Sequence, residues 1–165
     1  MKSNGLFSLR DAVSGNAARY SPTVLIVDPV DDDRDRDSIF GQLPWQTDRV
    51  GNSLEAMIHV HCRLPRVIVC ERDLPDGSWK DIVEVAASLP GRPPVIVTSR
   101  LADDYLWAEV LNLGGYDVLR KPLDRGEVHR SVGLAWQHWA NQWVATRSAK
   151  PAKSATGGSS VCLTA

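Results

Sequence analysis

The chain has 165 residues, 43% of them hydrophobic and 24% charged, which is enough apolar sequence for one globular domain around a single core. Lysine and arginine total 19 against 20 aspartates and glutamates, so no global basic field draws the chain to nucleic acid or to anionic lipid. The three cysteines, Cys62, Cys70 and Cys162, lack the paired spacing of a metal knuckle or disulfide framework, which fits a reducing cytoplasm, and no segment is apolar for long enough to cross a membrane.

Residues 1–21 are rich in Ser, Asn, Ala and Gly without periodicity and read as a flexible N-terminal arm, with no apolar run that would make a signal peptide. "TVLIVD" (23–28) is a continuous apolar run ending in acid. After it, "DDDRDRD" (31–37) reads as the solvated first turns of a helix, where carboxylates favour the positive end of the dipole. "WQTDRV" (45–50) is a mixed strand suited to a sheet edge. Asn52 followed by Glu55 forms a capping box that opens a helix over 53–63, with Leu54, Met57, Ile58 and Cys62 on one side. His59 and His61 are two apart, point to different sides of that helix and read as surface histidines.

"RVIVCE" (66–71) repeats the form of the first strand, and a helix over 79–88 carries Ile82, Val83, Ala86 and Leu89. "PVIVTS" (94–99) is a third strand of the same kind, and "DDYLWAEVL" (103–111) opens a further helix with Tyr105, Leu106 and Trp107. "GYDVLR" (115–120) is the second mixed strand. Asp124 followed by Glu127 opens a last helix over 124–143. Its stripe of Val128, Val132, Ala135 and Trp139 suffices to cover a sheet, so Trp136 and Trp143 have less obvious shelter. Residues 144–165 hold Arg147, Lys150 and Lys153, no acid and little complexity, and read as a disordered tail with no effector domain attached. The terminal "CLTA" has the outline of a prenylation signal and is read as chance.

Five strands alternating with five helices predict a doubly wound α/β domain, because parallel neighbours need a crossover of helix length. The three continuous runs are buried on both faces, as in a parallel sheet. In such a sheet, sites form beyond the carboxyl ends of the strands. Asp28, Glu71, Ser99 and Lys121 all fall at or just past strand ends on that one edge.

With the strand-end acid of "LIVDP", the acid four residues before proline in "CERDLP", the hydroxyl of "PVIVTS" and the Lys-Pro of "GGYDVLRKP", residues 22–143 resemble the receiver domain of two-component response regulators. The resemblance implies a flavodoxin-like (βα)5 sheet in the order 2-1-3-4-5 and a role in bacterial phosphorelay signalling. It places Glu71 at the phosphoacceptor position, Ser99 and Lys121 at the positions that hold phosphoryl oxygens, and Asp28 as the first acid of the magnesium pair. It also exposes departures. Pro29 stands where the second metal-binding acid would be, Glu71 replaces an aspartate, and Val118 replaces the aromatic residue that couples phosphorylation to output. Lys121-Pro122 matches the family's cis bond.

Loss of a carboxylate at Pro29 weakens any magnesium site, since that ion takes oxygen ligands in near-octahedral geometry. The extra methylene of Glu71 advances its carboxylate by roughly 1.5 Å, and a misplacement of about 1 Å costs on the order of a hundredfold in rate. The same reach brings Glu71 to Lys121, as a pair that either holds the loops in a phosphorylated-like arrangement or is only a structural clamp. Two functions follow. One is an atypical receiver-like module, not an enzyme, that binds no cofactor or magnesium only weakly. It acts through protein partners such as a histidine kinase or a downstream signalling protein. The other is a receiver that still accepts a phosphoryl group, at Glu71 or Asp73. Trp107, Val118, Trp136 and Trp143 mark the expected partner or homodimer surface, on the face of the last two helices.

Overall fold

A computed structural model describes residues 23–29 and 39–148. Five strands, β1 (Thr23–Val27), β2 (Gln46–Val50), β3 (Val67–Glu71), β4 (Val95–Ser99) and β5 (Asp117–Arg120), form one sheet in the order β2-β1-β3-β4-β5. Every neighbouring pair is parallel, so the chain adopts the flavodoxin-like doubly wound arrangement. The described crossovers are helices α1 (Ser53–Cys62), α2 (Trp79–Ser88) and α3 (Asp104–Asn112); α4 (Arg125–Ser148) follows β5, and a helical turn at 39–41 precedes β2. The proposed arm, residues 1–21, and the acidic run 31–37 lie outside the described residues.

Alternation along each strand divides the core into two layers. Leu25, Val27, Ile68, Cys70, Val95 and Val97 face α1, α2 and α3, while Val24, Ile26, Val67, Val69, Ile96 and Leu119 face α4 and the turn at Phe40. A strand covered on both sides has no solvent face, which is why its sequence is continuously apolar. Each such side chain stabilises the fold by about 1.5–3 kcal/mol relative to leaving it exposed.

Three expectations need correction. α1 does not bury Leu54 and Ile58, which are 62% and 60% exposed; it buries Ser53, Ala56 and Val60. Both sets have helical spacing, and the caps set which turns inward. Asn52 Oδ1 accepts from the Glu55 amide at 2.8 Å, and Glu55 returns a carboxylate oxygen to the Gly51 amide. Asp76, from the loop after β3, accepts from the amides of Ser53 at 2.7 Å and Leu54 at 2.9 Å. These bonds pin the first turn to the β3 loop and leave only small side chains room beneath it: a Cβ built on Gly77 would lie 3.5 Å from that of Ser53. The second correction concerns α4, which continues to Ser148, past the boundary set at 143, so residues 144–148 belong to the helix and not to a tail. The rest of the tail, 149–165, lies outside the described residues.

α2 buries what its periodicity predicts, and α4 does so except at Trp139, which is half-buried. Ile82, Val83, Ala86 and Leu89 are in the core, as are Val128, Val132 and Ala135. His59 is not a surface residue: its ring is half-buried, with Nε2 3.1 Å from Asp48 Oδ2 on β2.

Candidate functional site

β1 and β3 lie side by side at the centre of the sheet, so Asp28, the residue after β1, and Glu71, the last of β3, emerge at the same edge. β5 enters that edge two strands away. The Lys121 amide donates to the Ser99 carbonyl at 2.9 Å, and the Lys121–Pro122 peptide is cis. The Lys121 amine forms an ion pair and hydrogen bond with Glu71 Oε2 and sits 3.8 Å from Asp28 Oδ1. All three side chains are largely withdrawn from water, Lys121 being 7% exposed, Asp28 8% and Glu71 15%. Arg49 on β2 approaches Asp28 Oδ2 at 3.9 Å from the other side.

Three of the four predicted strand-end residues therefore meet at one point, and the fourth, Ser99, lines the same cleft without bonding to Glu71. The hydroxyl that reaches Glu71 is that of Thr98, which donates to Oε2 at 3.2 Å, whereas Ser99 accepts from the Leu101 amide at 3.1 Å and caps the following turn. Register explains the exchange. Glu71 pairs with Thr98 in the β3–β4 ladder, so their side chains leave the same face of the sheet, and Ser99 lies one residue on, at the rim of the cleft. Asp73 borders the same open cleft, of about 270 Å3, but is itself 85% exposed and pairs with Arg72 at 3.9 Å.

Beyond the cleft, Asp76 joins the loop after β3 to α1, a contact that no sequence spacing announced. The two backbone amides that it accepts hold its carboxyl below the usual carboxylate range. Cys70, next to Glu71 but turned into the core, has its thiol pushed far up by burial, with Asp28 and Asp81 adding to the effect and Lys121 opposing it. It is a packing residue and not a nucleophile.

The tryptophans separate. Trp136 is half-buried against the α4 layer of the core, and Trp143 stacks on Trp139 with ring centroids 5.4 Å apart. Both of the latter rings lie against Gly91, before β4, at the amino edge of the sheet. Trp107 is on α3, just after the carboxyl end of β4, and is 50% exposed. Val118 is partly buried against the layer beneath α1, α2 and α3. Trp136 and Trp143 are thus partly buried against the domain, and of the three tryptophans singled out Trp107 is the most open to solvent.

No family model and no curated protein matches the chain. Solved structures do. The receiver domain of a Francisella response regulator is 23% identical, covering 72% of this chain and 98% of its own, with a TM-score of 0.62. A two-component response regulator from Clostridium difficile is 22% identical over 71% and 97%, with a TM-score of 0.62. This chain has the receiver fold. A third match is the receiver domain of a sensor histidine kinase from Pseudomonas aeruginosa, with a magnesium ion in its active-site cleft; it is 18% identical over 73% and 98%, TM-score 0.60.

The receiver cleft of this chain is a poor fit to such an ion. Pro29 offers no carboxylate, Asp28 faces the cations of Lys121 and Arg49, and the Glu71 oxygen nearest the site already takes bonds from Lys121 and Thr98. A dication would have to compete with two cations for the same carboxylates. Asp31 and Asp32, the first carboxylates of the acidic run after β1, lie outside the described residues.

Proposed function

We propose that the protein is a receiver-like module of two-component signal transduction in the bacterial cytoplasm that works by protein–protein interaction and without phosphoryl transfer. The observation that carries this reading is the bond of Lys121 to Glu71. In a receiver the lysine is the group that would hold a phosphoryl oxygen; here a carboxylate of the chain itself takes that place, with the Thr98 hydroxyl as its second donor. The cleft thus has its anion built in, and Glu71 fills the role that added charge would play. The absence, among the described residues, of a helix long and apolar enough to cross a membrane is compatible with this setting.

The partner is a protein, a histidine kinase or a downstream signalling component, and the module also pairs with itself. The surface for both is the exposed side of α3, where Tyr105, Trp107 and Leu111 are 82%, 50% and 38% exposed, next to β5. Val118, which has no aromatic ring to rotate between two positions, leaves this face in one state.

The test is incubation of the intact chain with a small-molecule phosphodonor and magnesium, read by intact mass. No stoichiometric gain is expected. A phosphoryl group mapped to Glu71 or Asp73 would establish the other reading, a receiver that still accepts phosphate. In parallel, sedimentation at micromolar concentration should give the same association with and without phosphodonor.

A further inference from the structure

At the amino edge of the sheet, opposite the charged cleft, two adjoining cavities of about 290 and 230 Å3 share Arg92 and Gln142 in their walls. The larger has an apolar floor of Val83, Ala86, Val95 and Leu113. Gly114 keeps it open: a Cβ built there would have only Val83 Cγ1 within 4 Å, at 3.9 Å. Polar groups collect on the α4 side. The Gln142 amide nitrogen is 2.8 Å from His138 Nε2, and the His138 ring lies tilted against Tyr116, with centroids 5.6 Å apart.

No carboxylate lines either cavity, and Arg92 has no ion pair among the described residues. Its backbone is also out of place. Arg92 has φ 43°, the left-handed region, directly after Gly91 at φ 80°. A long side chain with a Cβ is disfavoured there, and glycine would suit the turn better. Backbone strain held at one residue points to a use for its side chain, and what arginine adds over glycine is a cation between two cavities without acid.

We infer that these cavities form a binding site for a small organic carboxylate with an apolar or aromatic body. The guanidinium of Arg92 takes the carboxylate, for which its planar fork is suited. Gln142 and Tyr116 offer further hydrogen bonds, and the body of the ligand covers Val83 and Ala86. A volume near the lower end of ligand pockets, about 300 Å3, suits a single-ring molecule. This site is independent of the signalling cleft, from which the length of the strands separates it.

The probe is phenylacetate, titrated into the full chain and followed by amide proton–nitrogen spectra, with benzyl alcohol as the uncharged control and inorganic phosphate as the anion without an apolar body. Saturable shifts are expected with phenylacetate at Gly91, Arg92, Gly114 and Gly115, and neither control should match them. Arg92→Gly should keep the melting temperature, since it relieves the left-handed turn, while weakening phenylacetate by about tenfold or more, the value of a charge-assisted pair. Ala87→Phe should block the larger cavity. Equal binding of benzyl alcohol or phosphate, unchanged affinity in Arg92→Gly, shifts confined to the Glu71 cleft, or no saturable shift at all would each overturn the assignment.

Discussion

At the carboxyl edge of the sheet the chain closes its charges on one another, with Lys121 between Glu71 and Asp28 and Arg49 behind them. The amino edge is held differently, by rings: Trp139 and Trp143 stack against the Gly91 turn, and the Arg66 guanidinium sits 5.2 Å from the Trp139 ring centre. The first arrangement is polar, withdrawn from water and internally neutralised; the second is built from stacked rings and, among the described residues, leaves Arg92 without an acid. Charge pairing closes the cleft, and ring stacking holds the end of α4 against the Gly91 turn. The two ends should therefore respond to different insults.

The largest effect is expected from Lys121→Met, which keeps the stem and removes the charge. Two carboxylates then remain in a largely desolvated cleft without their cation, and stripping one partner from such a group costs about 3–5 kcal/mol. Urea unfolding should show this loss. A loss below about 1 kcal/mol, the range of solvent-screened pairs, would mean that the cleft is wetter than its exposures indicate. At the other edge, Gly91→Ala should cost about 2–3 kcal/mol. The new Cβ meets Trp143 Cε3 at 2.9 Å and Trp139 Nε1 at 3.0 Å, on a backbone with φ 80°. Salt separates the two edges: the Gly91→Ala deficit should be insensitive to ionic strength, and tryptophan fluorescence should report it directly.

Sequence made the sheet legible because its central strands are covered on both sides, and only continuous apolar runs survive there. The edge carrying the site was legible for the same reason, since each run must end where the strand meets water. Strand ends locate a residue to within one position, while a one-residue step reverses the face, so the Thr98 hydroxyl that reaches Glu71 was not singled out beside Ser99, which lines the same cleft. Leu54 and Ile58 were placed in the core because α1 carries two helical stripes, and the contact that selects between them, Asp76 on the Ser53 and Leu54 amides, comes from 22 and 23 residues away in the chain. Trp143 looked surplus to the sheet because the Gly91 turn that it covers together with Trp139 is distant in sequence, and Trp136 because it packs at the border of the α4 layer rather than in the stripe.

Asp76→Asn tests the link between the cleft loop and α1, and its effect should be smaller than either of those. The carboxyl of Asp76 is held below the usual carboxylate range, first by the Ser53 amide and then by that of Leu54. A folded-state value depressed below the unfolded one means that the stabilisation is present above about pH 4 and is lost as pH falls through the folded value. The difference between wild type and Asp76→Asn should thus be constant near neutrality and shrink under acid. Hydrogen exchange should quicken at Ser53 and Leu54 in the variant, with the Gly91 turn unchanged. Faster exchange at both edges would show that the cap supports the whole domain rather than its carboxyl end.

The smallest expected effect on stability is that of Trp107→Ala, and it bears on function more than the others. Trp107 is half-exposed on α3 and belongs to neither core layer, so its removal should change unfolding by no more than about 0.5 kcal/mol, the usual range for surface positions. Trp143→Ala, which opens the stack on Trp139, should by contrast destabilise the amino edge measurably. If the exposed side of α3 is the association surface, Trp107→Ala weakens self-association and partner capture while the melting temperature stays in place, and Trp143→Ala does the reverse. Sedimentation and thermal unfolding on the two single variants separate the roles. Association that survives Trp107→Ala and Tyr105→Ala together would move the output surface off α3, and the other exposed apolar stripe, Leu54 and Ile58 on α1, would be the next face to test.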